Sequence, residues 1–243
     1  MKKVGIISQA RMTSTRLPGK IMLEAKGKPM LQYHVERLQW SGYPVIIATT
    51  TNRTDDAVAL FCKKYGLTCV RGEEQNVLSR YYQAALQEKL DVIVRVTSDC
   101  PLIDGRLIRR GAEEYAERFD SRLYYSNALQ RSYPRGFDFE IFSFELLEEA
   151  YKNAILEPDL EHVTPYINQN KAGTVRFKHL VYEKNKSQYR VTLDESDDFQ
   201  LLKTLIEEFQ VAQKDHGEII KLLDEHPELV AMNAHVEQKK YGQ

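Results

Sequence analysis

Residues 4–22 read VGIISQARMTSTRLPGKIM, and the opening of that run decides the fold. Val4, Ile6 and Ile7 form an apolar stretch with no alternation of polar positions. Strands of this kind are buried on both faces, as in parallel sheets covered by helices. The strand exits into a basic loop, where Arg11, Arg16 and Lys20 stand among Thr13, Ser14 and Thr15, with Pro18-Gly19 before the last cation. Small residues at Ala10, Ser14 and Gly19 let the backbone approach a ligand and offer it N–H groups. Arginine forks suit phosphate oxygens in two-point contact, and lysine adds a point charge. Three cations with backbone donors match a triphosphate; on charge count alone a solvated surface loop fits as well. The run matches neither GxxxxGK[ST] nor GxGxxG, which counts against a P-loop NTPase and a dinucleotide-binding dehydrogenase.

Outward from this stretch the pattern repeats. Met30, Leu31, Val35 and Leu38 keep helical spacing over 29–42, with Gly42 as the stop. A strand follows over 44–49, then a helix over 55–65 closed by Gly66, and a short strand over 68–70. Asn76 is an N-cap for VLSRYYQAAL. DVIVRV, 91–96, is a further strand, and Asp104 caps a helix running to Arg118. The alternation predicts an α/β fold with a mostly parallel mixed sheet and helices on both faces. The second half is less regular. Short strands are expected near 123–125, 137–142, 175–182 and 190–193, among helices at 144–153, 160–168 and 198–209. One more helix and an irregular terminus follow Lys214. We read 1–243 as a single domain with a helical tail from about 211.

The chain has 243 residues, 42% of them hydrophobic, and a formal charge of −1. A length of this order fits one α/β domain with a sizeable core. Near-neutrality suggests neither nucleic acid nor a membrane surface as partner, so an anion site has to be built locally. Three cysteines without CxxC spacing argue against a disulfide framework or a structural zinc site. With no long apolar run and no signal-type start, a cytoplasmic protein is expected.

In open α/β sheets ligands collect at the carboxyl ends of the strands. The loop at 8–20 and the turn VTSDCPLID at 96–104 then face one crevice. Asp99, across from the cationic loop, is placed to hold Mg²⁺, which favours one or two carboxylates with phosphate oxygens and water. Read alone, it is a turn or cap residue. Asp194 ends the run RVTL before a helix capped by Ser196 or Asp197, and serves equally as a metal ligand or as part of an acidic helix start. Asp138 and Glu140 alternate with Phe137 and Phe139, which puts both carboxylates on one strand face, either toward acceptor hydroxyls or toward solvent. His162, beside Glu161, is an acceptor-pocket candidate or a surface histidine.

These motifs resemble a known family. QARMTSTRLPGKIM is similar to the ARxxSxRLPGK signature of the CMP-sugar synthetases, the cytidylyltransferases of 3-deoxy-manno-octulosonate and acylneuraminate type. GKPML, VTSDCPLI and RVTLDESDDFQLL continue the likeness. RGEEQNVLSRYYQAA, YPRGFDFEIFS and EHVTPYI resemble the spore coat polysaccharide biosynthesis protein F group most closely, and the likeness runs over about residues 3–210. The resemblance implies a Rossmann-like nucleotide-diphospho-sugar transferase fold, and Mg²⁺-dependent transfer of a cytidylyl group from CTP to a sugar or sugar acid with release of pyrophosphate, by a homodimer. It implies that Ala10, Arg11, Ser14, Arg16, Lys20 and Ser98 meet the nucleotide, that Arg80 lies near the base, and that Arg11, Lys20 and Asp99 serve catalysis. Asp99 and Asp194 would be the metal ligands, with Asp138, Glu140 and His162 toward the acceptor. The synthetases commonly carry QGDEP where this chain has TSDCP, so Thr97, Ser98 and Cys100 stand in place of side chains that read base and sugar. A glycosyltransferase using a nucleotide-diphosphate sugar is one rival, disfavoured by the lack of an Asp-x-Asp turn in TSDCP. A non-catalytic nucleotide-binding partner is another, and does not need both carboxylates.

Overall fold

The computed structural model describes residues 2–237. In chain order it comprises β1 (Val4–Gln9), a two-residue hairpin of β2 (Glu24–Ala25) and β3 (Lys28–Pro29), α1 (Met30–Gln39), β4 (Val45–Thr50), α2 (Asp56–Tyr65), β5 (Thr68–Gly72), α3 (Val77–Gln87), β6 (Val92–Thr97) and α4 (Gly105–Glu117). There follow β7 (Leu123–Ser126), β8 (Glu140–Ser143), α5 (Phe144–Asn153), α6 (Glu157–His162), α7 (Pro165–Asn168), β9 (Arg176–His179), α8 (Ser196–Glu207), α9 (His216–Glu225) and α10 (Pro227–Ala231).

Seven strands make one sheet in the order β5-β4-β1-β6-β8-β7-β9. The first four are parallel, β8 runs antiparallel to both neighbours, and β9 is parallel to β7. This is the α/β fold expected, with a mixed sheet. The apolar strands explain the two-sided burial. Val4, Ile6, Val92 and Val94 pack into one core with α1, α2, α4 and α8. Their neighbours Ile7, Ile46, Ile93 and Phe142 enter a second core with α3 and α5 on the opposite face. Strand order moves outward from β1 through β4 to β5, then returns to β6 on the other side of β1. The switch point therefore lies between β1 and β6, where a crevice opens at the carboxyl ends of both strands.

Helix starts follow local chemistry. Asn76 accepts the Ser79 N–H and Asp104 accepts those of Arg106 and Leu107, caps each worth about 1 kcal/mol. Among the described residues no helix is long and apolar enough to cross a membrane.

Several expectations for the second half are corrected. The strand read over 137–142 begins only at Glu140. Residues 190–193 are no strand; they are extended chain with an isolated bridge between Arg135 and Arg190. The helix read over 160–168 is two helices, α6 and α7, broken at Val163, whose φ is +71°. Pro165 accounts for the break in part, since it has no N–H to continue the helix and instead opens α7 at its first turn. After Lys214 there are two helices, α9 and α10, divided at Pro227. The irregular terminus expected beyond them falls, over 238–243, outside the described residues.

Candidate active site

Three chain segments meet at the switch point. The register pairs Gln9 with Thr97, and the Ser98 N–H donates to Gln9 O at 3.0 Å, so the exits of β1 and β6 leave side by side. The basic loop is folded back on itself. Met12 N–H donates to buried Asp55 at 2.6 Å, and Gly19 N–H closes on Met12 O at 2.9 Å. Gly19 has φ +70°, a conformation that glycine adopts without strain. A single 3₁₀ turn, Lys20–Met22, then buries Lys20.

The third segment is the extended run before α8. Leu193 N–H and the Thr192 hydroxyl both donate to Asp99 O, at 2.7 and 3.1 Å. Arg135 and its neighbours hold the run from the other side, with Val191 N–H on Arg135 O at 2.7 Å and Arg135 N–H on Tyr189 O at 3.0 Å. Gly136, at φ +108°, allows this approach; a Cβ there would lie 2.6 Å from Val191 O. Residues 190, 192 and 194 share one face of the run, and Val191 and Leu193 are buried in the core.

Asp99 and Asp194 are thus brought together from positions 95 residues apart. Lys20 Nζ lies 3.0 Å from Asp99 Oδ2 and 2.8 Å from Asp194 Oδ1. Arg16 reaches Asp194 Oδ1 at 3.1 Å and Glu195 at 3.2 Å. Buried Arg190 donates to Asp194 Oδ2 at 2.7 Å and grips Asp198 with two nitrogens, at 2.8 and 3.0 Å. Asp198 in turn accepts the N–H groups of Asp194 and Glu195. That carboxylate secures the start of α8, so Asp194 is released from capping. Burial alone would raise the Asp99 pKa, but the Lys20 charge and the Thr97 hydroxyl at 2.5 Å hold it below the usual carboxylate range. Burial works equally against the Lys20 ammonium, yet its two carboxylates raise its pKa above the ordinary value.

The other predicted residues fall around this centre. Ala10 is buried at the strand exit, its N–H on Ala48 O at 3.0 Å. Ser14 accepts the Leu17 N–H at 3.5 Å within the loop. Arg11 is exposed at the mouth, near Glu74 at 4.0 Å and Glu161 at 3.8 Å. Arg80 is buried on α3, donates to Glu73 O at 3.0 Å, and leaves its Nε without a partner. His162 ends α6 at the exposed surface, and desolvation of its ring lowers its pKa.

The Ser98 side chain turns away from the crevice. Burial lowers the pKa of His34 to about 4, so the ring is neutral at pH 7. Cys100 O can only accept, which puts the proton on His34 Nδ1, 2.8 Å away. Nε2 then accepts from Ser8 at 2.8 Å, and Ser8 accepts from Ser98 at 2.7 Å. The Ser98 hydroxyl is thus a link between strands, and its N–H is likewise held, on Gln9 O.

Asp138 and Glu140 do not share a strand face, because Asp138 precedes β8. Asp138 pairs with Arg131 at 2.5 Å. Glu140 is buried, paired with Arg95 and hydrogen-bonded by Tyr124 and by Thr164, the last at 2.9 Å. Arg190 was not legible as a site residue by type, although its period-two relation to Thr192 and Asp194 is the signal that marks it.

Among the described residues no group of three or more His, Cys, Asp or Glu gathers at metal-binding spacing. Asp99 and Asp194 form a two-carboxylate set already converged on one cation, the Lys20 ammonium. Such a set fits magnesium, whose shell is completed by phosphate oxygens and water.

The family model described as cytidylyltransferase matches residues 4–231. The spore coat polysaccharide biosynthesis protein SpsF of Bacillus subtilis is 31% identical over 94% of this chain and 97% of its own. The 3-deoxy-manno-octulosonate cytidylyltransferase of Vibrio vulnificus is 38% identical over 46% of this chain and 45% of its own. A solved cytidylyltransferase from Leptospira borgpetersenii superposes with a TM-score of 0.90 at 33% identity, covering 99% of this chain and 100% of that one.

Proposed function

We propose that this chain, which belongs to the cytidylyltransferase family, transfers the cytidylyl group of CTP to a sugar or sugar acid and releases pyrophosphate. The observation that carries this reading is the convergence of Lys20, Asp99 and Asp194 at the carboxyl ends of β1 and β6. The names of two relatives support the substrate class, one acting on 3-deoxy-manno-octulosonate and one belonging to spore coat polysaccharide synthesis. Work in surface or spore coat polysaccharide assembly, as a cytoplasmic homodimer of single-domain subunits, belongs to the same reading.

Arg11, Ser14, Arg16 and Lys20 bind the triphosphate, with the backbone at Ala10 and Ser98 beside it and Arg80 toward the base. An acceptor oxygen attacks the α-phosphorus in line. A new phosphorus–oxygen bond forms as the bond to the β-phosphate oxygen breaks, and the charge that leaves with pyrophosphate is met by Lys20 and Arg16. Asp99 and Asp194 would hold Mg²⁺, which when bound neutralises charge on the phosphate oxygens. Positioning supplies the remainder of the rate, and no protein nucleophile is required. On the acceptor side Asp138, held by Arg131, and His162 are the side chains offered to acceptor hydroxyls, whereas Glu140 acts through Arg95, which it holds in place.

The test is pyrophosphate release from CTP and Mg²⁺ with a panel of sugar acids, sugar phosphates and neutral sugars that includes 3-deoxy-manno-octulosonate. Acceptor-dependent release is expected with at least one anionic or neutral sugar of the panel. Turnover of a nucleotide-diphosphate sugar without pyrophosphate release would replace this reading with that of a glycosyltransferase.

A further inference from the structure

The ammonium of Lys20 occupies the space between the two carboxylates that the proposed function assigns to the metal. Its burial is nearly complete, at 9% exposure, and its two contacts are 3.0 and 2.8 Å. The carboxylates it touches already hold other donors, Asp194 most fully. Asp194 Oδ1 receives both Lys20 and Arg16, and Asp194 Oδ2 receives Arg190. Asp99 Oδ1 takes the Thr97 hydroxyl, leaving Oδ2 to Lys20. A carboxylate oxygen offers about two lone-pair directions. A divalent cation therefore cannot join Asp194 Oδ1 while both Lys20 and Arg16 remain, and it would stand against a fixed positive charge at close range.

We infer that Lys20 is the resident counter-ion of this carboxylate pair, and that a divalent cation enters only with a nucleotide whose phosphates draw Lys20 away. The inference rests on the reading of Asp99 and Asp194 as metal ligands. Lysine suits the exchange because its charge is a point at the end of a flexible four-carbon stem. Arg190 does not leave with it, being locked to Asp198 by two hydrogen bonds and to Asp194 by a third. Asp194 so keeps its position through the exchange. Lys20 thus acts twice: it holds two like charges together in the free protein, and it binds phosphate once the metal has taken its place. The affinity of the free protein for metal alone is lowered by the fraction of time that Lys20 is away. If that fraction is about 1%, the apparent dissociation constant rises about 100-fold.

The probe is Mn²⁺ without nucleotide, followed by loss of the free-ion electron paramagnetic resonance signal on titration with the intact protein. Wild type is expected to leave Mn²⁺ free at concentrations where Lys20→Met takes up one equivalent, a gain in affinity of about tenfold or more. Lys20→Arg, which keeps the charge and controls for folding, should behave as wild type. Adding Asp99→Asn to Lys20→Met should abolish the uptake. Calorimetric titration of wild type with CTP, with and without Mn²⁺, separates the two levels of the argument. If Mn²⁺ strengthens CTP binding while Lys20→Met and wild type take up Mn²⁺ alone equally, the counter-ion role of Lys20 is overturned and the metal reading stands. If Mn²⁺ neither binds alone to any variant nor strengthens CTP binding, both fall.

Discussion

Asp99→Asn is expected to reduce turnover by roughly 10³-fold or more while leaving the fold in place. A cation acting on the charge of a transferring phosphoryl group contributes several kcal/mol, and about 1.4 kcal/mol is a factor of ten. Asparagine has nearly the same shape as aspartate but carries no charge to hold that cation. The fold survives for identifiable reasons. The contacts from Leu193 and Thr192 are to the Asp99 backbone carbonyl, which the substitution does not touch. The Thr97 hydroxyl at 2.5 Å can donate to the new amide oxygen, and Lys20 keeps Asp194 at 2.8 Å. Initial rates of pyrophosphate release, with a thermal unfolding curve beside them, check the result. Activity within about tenfold of wild type would remove Asp99 from the metal site.

Arg190→Ala acts on stability. Arg190 is buried and satisfies two buried carboxylates at once, Asp194 at 2.7 Å and Asp198 at 2.8 and 3.0 Å. Removing one partner of such a group leaves uncompensated buried charge, which costs about 3–5 kcal/mol. Burial by itself would raise the pKa of Asp198, and the Arg190 guanidinium overrides it and lowers that pKa. A carboxylate whose folded pKa is lowered contributes stability above its unfolded pKa and loses it as pH falls toward the folded value. The gap between variant and wild type is therefore full at neutral pH and narrows in acid. Urea unfolding at neutral and at acid pH measures both. A loss below about 1 kcal/mol at neutral pH would show that the ion network is not what secures the segment before α8.

What the sequence revealed and what it hid divide along one physical line. The apolar runs of β1, β4 and β6 are legible because burial on both faces leaves no polar alternation. The caps Asn76 and Asp104 are legible because capping is a contact within three residues. The segment at 190–193 reads as a strand for a sound local reason, β-prone residues with period two. Its hydrogen bonds go instead to Arg135 and Asp99, on two unrelated parts of the chain. Asp138 and Glu140 share one face only if the strand starts at Phe137, as the alternation suggests, whereas β8 begins at Glu140. The broken helix at Val163 was within reach, since Pro165 announces it. The meeting of Asp99 with Asp194 was not, because no local signal links positions 95 apart; the resemblance to a family linked them. Arg190, which fixes Asp194 in the centre, escaped because its partners are named only by the fold.

The most direct test of the central claim is calorimetric titration of the protein with CTP, UTP, GTP and ATP, each with and without Mg²⁺. The account predicts that CTP binds in preference to the other three and that Mg²⁺ strengthens its binding. Equal binding of all four nucleotides, or binding of none of them, would contradict it.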